Sequence, residues 1–79
     1  MTMSWRTVKS YGYPYSEVYQ DENLLEYGSV SKAKGATEYK AFYSNGHMKA
    51  GPVYRGRFED ARSWVEEMHA ANPTPSVTL

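Results

Sequence analysis

In this 79-residue chain the side chains whose types and spacing suit recognition chemistry are aromatic rings set among cations. Phe42 and Tyr27 fall near Lys40, Lys49, Arg55 and Arg57, and the stretch 40–57 carries no Asp or Glu. Rings of this kind stack on bases or fill a protein partner's pockets, while the cations take phosphates or carboxylates. A second group, Tyr11, Tyr13, Tyr15 and Tyr19, alternates around Gly12 and Pro14. Tyr supplies a large contact area at low entropic cost, so such a loop suits recognition. Two of these four rings are needed to cover a small core, because the chain has few Leu and no Ile.

Reactive constellations are sparse. With no Cys there is no disulfide, thiolate metal site or thiol nucleophile. His47 and His69 are the only imidazoles, one in a turn and one near a helix end, where the dipole accounts for it. Ser44 beside His47 lacks an acid to orient the base. Glu66 and Glu67 are adjacent on a helix and diverge, and no Gly-rich phosphate loop occurs. These residues predict a non-catalytic protein with no cofactor and no metal.

The elements that must position the rings follow from punctuation and period. Asn45-Gly46 predicts a two-residue type I′ hairpin turn pairing Ser44 with His47, Phe42 with Lys49 and Ala41 with Ala50. Pro52, then opposite Tyr39, makes strand 48–56 an edge. Strand 24–33 turns at Lys34-Gly35, so that Val30 faces Tyr39, Gly28 faces Ala41 and Tyr27 faces Phe42. A loop one residue different turns that strand over. After Phe58 the period becomes helical, with Ala61, Trp64, Val65 and Met68 on one face of a helix over 59–71. It stops at Asn72-Pro73. Residues 5–10 suit a strand, and residues 15–20 a further strand or a helical turn capped by Ser16.

The fold class expected is α+β, a four-stranded antiparallel meander sheet with one C-terminal α-helix packed on one face. The alternative is three strands with a short N-terminal helix. Residues 1–72 form a single domain, and 73–79 a disordered C-terminal tail. Gly28, Ala41 and Ala50 form a trough for Trp64 on the core face, with Val30, Tyr39, Tyr43, Met48 and Tyr54. Tyr27, Lys40, Phe42, His47, Lys49, Arg55 and Arg57, with Leu25 and Val53, occupy the opposite face. That face has three readings: an ordinary solvated surface, a protein-binding surface, or a nucleic-acid platform.

Nine Lys/Arg balance nine Asp/Glu, which excludes a highly charged nucleic-acid mimic or a histone-like basic tail. No segment approaches the ~20 apolar residues of a membrane span. The expectation is a cytoplasmic protein, a monomer or weak homodimer, with no membrane partner.

At the strand-to-helix junction, Tyr54-Arg55-Gly56-Arg57-Phe58-Glu59-Asp60-Ala61 resembles the Gly-x-Phe junction of the AP2/integrase-type DNA-binding domain. The resemblance covers about ten residues and implies a sheet entering the major groove, with Arg55, Lys49 and Lys40 facing it. The chain departs from that family where Trp64 and Val65 replace its paired alanines. In general character, being short, free of Cys and built on a hairpin like Ser44-Asn45-Gly46-His47, the chain is similar to small phage and mobile-element accessory proteins, including anti-CRISPR proteins. That likeness implies an inhibitor or adaptor that blocks a host protein or nucleoprotein complex. The alternative is a small DNA- or RNA-binding protein. Both readings rest on Tyr27, Lys40, Phe42, Lys49, Arg55 and Arg57 and on the loop tyrosines Tyr11, Tyr13 and Tyr15.

Overall fold

The computed structural model describes residues 2–72, and the expected tail at 73–79 lies outside them. Five strands form one antiparallel sheet in sequence order: β1 (Met3–Thr7), β2 (Tyr15–Asp21), β3 (Glu26–Lys32), β4 (Tyr39–Ser44) and β5 (Lys49–Arg55). Helix α1 (Phe58–Ala71) packs across one face. The α+β class is as expected, with one strand more. Both N-terminal segments are strands, because period-2 alternation places Trp5 opposite Tyr19 on the helix side of the sheet.

Two cross-strand rows carry the core. One runs Trp5, Tyr19, Gly28, Tyr43, Ala50, and the other Thr7, Glu17, Val30, Ala41, Val53. Val30, Ala41, Ala61 and Val65 have no solvent exposure, and Tyr43 has almost none. Gly28 is the seat for the helix, since a Cβ there would lie 2.6 Å from Val65 Cγ1 and 2.7 Å from the Phe42 carbonyl oxygen. Val65 fills the seat expected for Trp64, which is half-buried beside the core. Gly28, Ala41 and Ala50 do not share one row, because Gly28 pairs with Tyr43.

The expected registers shift for identifiable reasons. At the β4–β5 turn, Asn45 Oδ1 accepts hydrogen bonds from the amides of His47 (2.9 Å) and Met48 (3.0 Å). This side-chain turn widens the loop to residues 45–48, so the ladder closes at Ser44–Lys49. The shift is even and preserves faces next to the turn. A bulge at Gly51-Pro52 then adds one residue, pairing Ala41 with Val53, Lys40 with Tyr54 and Tyr39 with Arg55. Gly51 has φ +100°, and a Cβ there would meet the Ala41 carbonyl at 2.6 Å. Beyond the bulge every side chain changes face. Tyr54, expected in the core, is 53% exposed, and Arg55 moves to the helix side opposite Tyr39.

A second bulge corrects Tyr27. Pairing passes from Tyr19–Gly28 to Gln20–Glu26, leaving Tyr27 as the extra residue. Its ring turns to the helix side, 5.0 Å from the His69 ring, and it is 4% exposed. Tyr27 is therefore a core residue and not part of the open face. The expected strand 24–33 also begins later. Asp21 Oδ1 accepts from the amides of Asn23 and Leu25, holding residues 22–25 as a turn with Leu24 at φ 65°.

Candidate functional site

The face away from α1 is built from two rows whose residues alternate with those of the core. One row is Ser16, Ser31, Lys40, Tyr54; the other is Arg6, Val18, Ser29, Phe42. Serines at Ser29 and Ser31 keep the β3 part of the face low, while β4 and β5 raise Phe42, 38% exposed, and Tyr54. Two hollows adjoin these strands. The first, about 190 Å³, is lined by Tyr13, Ser31, Ala33, Ala36, Glu38, Lys40 and Tyr54. The second, about 220 Å³, lies along residues 26–29 of β3 and 42–44 of β4, core positions Tyr27, Gly28 and Tyr43 included.

Tyr13 reaches the first hollow because the β1–β2 connection is tied down. Its amide donates to the Ser10 carbonyl, and the Lys34 amide donates to the Gly12 carbonyl at 3.1 Å, joining that loop to the β3–β4 loop. Gly12 takes φ +81° to make the turn. Lys40 Nζ then donates to Tyr13 Oη (3.3 Å), 5.2 Å from the Tyr13 ring centroid and 5.6 Å from that of Phe42. A cation between two rings is held by their quadrupoles without being neutralised. Lys40 forms no ion pair among the described residues.

The expected site residues divide accordingly. Tyr13, Lys40 and Phe42 come together. Lys49 shares their face at the far end, opposite Ser44. Arg55 donates from its guanidinium to the Tyr54 carbonyl, on the helix side by register. Arg57 is exposed at the start of α1, 3.8 Å from Glu59. Tyr11 stands fully exposed in the loop. Tyr15 packs against Tyr39 and Phe58, and its hydroxyl donates to Glu17 at 2.6 Å. Burial and the Glu17 hydrogen bond raise the Tyr15 hydroxyl well above its ordinary value. Tyr15 and Tyr19 are thus the two rings that cover the core.

Sequence reasoning missed Tyr54, Ser31 and Glu38. The signal for Tyr54 was Gly51-Pro52, a pair that marks a bulge when found inside a strand. The face is also less purely basic than the 40–57 stretch implies. Glu26 pairs with Arg6 at 3.3 Å across it, and Glu38 enters from the β3–β4 loop.

On the helix side, polar groups are consumed internally. Arg62 Nε donates to Glu17 (2.8 Å), Trp5 Nε1 to Glu66 (2.9 Å), and Tyr43 Oη lies 3.0 Å from His69 Nδ1. Burial raises the Tyr43 and Tyr19 hydroxyls above their ordinary value. Among the described residues no three His, Cys, Asp or Glu side chains converge as a metal site, and no helix is long and apolar enough to cross a membrane. The site offers ring surface, the Lys40 cation and the Glu38 carboxylate, with no ion pair to either charge among the described residues. Comparison with family models, with curated proteins and with solved structures finds no match.

Proposed function

We propose that this chain is a non-catalytic binding module, an inhibitor or adaptor of the phage type that occupies a surface of a host protein or nucleoprotein complex. The observation that carries the reading is the group Tyr13, Lys40 and Phe42, held together by Lys40 before any partner arrives, with the exposed Tyr54 opposite Lys40 on the same helix-free face. Tyr, Phe and other aromatic residues are enriched where protein interfaces concentrate their energy. Preorganisation lowers the entropy lost on docking. Phe42, at the edge of one hollow and 38% exposed, gives relief of the kind a complementary surface can grip. The likeness in character to anti-CRISPR proteins points the same way.

A tagged pull-down from a bacterial lysate, with and without nuclease, tests the reading. A discrete protein recovered after nuclease, and lost with Phe42→Ala, supports it. Recovery of that protein undiminished by Phe42→Ala refutes the role of this face.

A second reading is direct DNA or RNA binding, favoured by Lys40 lying over two rings with no acid partner among the described residues. The cations available to it are fewer than the sequence implied. Lys40 and Lys49 share the open face, whereas Arg55 is turned to the helix side, which divides the groove-facing set implied by the AP2-type resemblance. With two such contacts the log–log salt slope is about −1.4 to −1.8. Recovery of nucleic acid alone, released at moderate salt, favours this reading over the first.

A further inference from the structure

The hollow between the β1–β2 and β3–β4 loops contains more than an open sheet face needs. Its floor is Ser31, Lys40 and Tyr54, three residues of one cross-strand row, and its walls are Tyr13, Ala33, Ala36 and Glu38. The Lys34–Gly12 hydrogen bond and the Ser10–Tyr13 bridge fix the rim, so a ligand finds the walls already placed.

Glu38 and Lys40 are two residues apart along the chain and line the same hollow, yet neither forms an ion pair among the described residues. A ligand that satisfies both must be anionic at one end and carry N–H donors at the other. The half-exposed Tyr54 ring, beside the Tyr13 ring on which Lys40 rests, offers a stacking surface to a flat body between those ends.

We propose that this hollow takes one unstacked nucleotide of a single strand, its phosphate toward Lys40, its base against Tyr54 and Tyr13, and its donor edge toward Glu38. This rests on the nucleic-acid reading of the open face. The carboxylate sets the base preference. Guanine presents two adjacent donors, N1–H and the N2 amino group, that one carboxylate accepts together, whereas thymine and uracil present a single donor between two carbonyls. Guanine is therefore the favoured occupant.

The test is titration of the intact chain with an oligothymidine strand and with the same strand carrying one central guanine, followed by amide chemical shifts and by fluorescence anisotropy. Parallel titrations with the ribonucleotide strands decide whether DNA or RNA is the source. The expected result is about fivefold or greater tightening by the single guanine, with shifts at Tyr13, Ser31, Lys40 and Tyr54. Glu38→Ala removes the preference. Tyr54→Ala weakens both strands about tenfold, in keeping with one lost stack, while the melting temperature is unchanged.

Strand binding that ignores the guanine, or that survives Tyr54→Ala and Glu38→Ala but is lost with Phe42→Ala, overturns the nucleotide site and leaves the nucleic-acid reading standing. No binding of any strand by the folded chain overturns both.

Discussion

Tyrosine is used in opposite ways on the two faces of the sheet. On the helix side, Tyr15, Tyr27 and Tyr43 bury their rings and satisfy their hydroxyls at Glu17, Asp21 and His69. On the other side, Tyr13 and Tyr54 leave ring surface in solvent, and the Tyr13 hydroxyl accepts from Lys40. A chain of this size with no Ile needs large side chains to fill its core, and Tyr serves when each hydroxyl finds a partner. The same residue with ring surface left in solvent becomes an offer to another molecule. Whether a given Tyr is core or contact depends on strand parity, and two bulges decide that parity here.

The comparison breaks first where the core is opened. Tyr43→Ala is expected to cost about 3–5 kcal/mol, because Tyr43 is fully buried under the helix. Urea unfolding of Tyr43→Ala beside Phe42→Ala measures the contrast, and equal losses would mean the faces are not distinct. Next in size is Gly28→Ala, expected to cost about 1–3 kcal/mol by driving a methyl into Val65 and the Phe42 carbonyl. Wild-type stability for this variant would remove Val65 from its seat on Gly28.

Alkaline pH sharpens the contrast. The Tyr43 and Tyr19 hydroxyls are raised above 10.0 chiefly by burial, so the folded state favours their protonated forms. Their contribution is fully present below pH 10 and is lost as pH rises through the higher folded values. The melting temperature should be level up to about pH 10 and fall as pH rises from there through the folded values. Tyr54→Phe should leave the fall unchanged, and Tyr43→Phe should lessen it.

The smallest expected effect is at the β2–β3 turn. Leu24 holds φ 65° while 67% exposed, so Leu24→Gly should stabilise by up to about 1 kcal/mol by relieving the left-handed backbone. A loss of that size instead would mean that the Leu24 side chain contributes packing.

Much of the fold was legible in the residues. The helix could be read from Ala61, Trp64, Val65 and Met68 against two flanking acids, and the edge strand from Pro52. Phe42 and Lys40 could be read as sharing the open face, because alternation along β4 is unbroken, and Tyr13 as a loop residue, because Gly12-Tyr13-Pro14 marks a turn. Tyr27, Tyr54 and Arg55 were misplaced for one physical reason. A strand pattern assigns faces by parity, and a bulged residue reverses the parity of all that follows. The Gly51-Pro52 pair signals one bulge. Nothing in Leu25-Glu26-Tyr27-Gly28 marks the other, which is set by the need to fill space beside His69. Glu38 escaped notice because its role comes from a hollow made by three separate segments.

The most direct measurement is Phe42→Ala against Tyr27→Ala, each followed by thermal unfolding and by pull-down. If Phe42 is a contact and Tyr27 is core, Phe42→Ala stays within about 1 kcal/mol of wild type and loses its partner, while Tyr27→Ala unfolds at markedly lower temperature. A Phe42→Ala chain that unfolds, or a Tyr27→Ala chain that stays stable and loses binding, would put the interaction surface on the other face of the sheet.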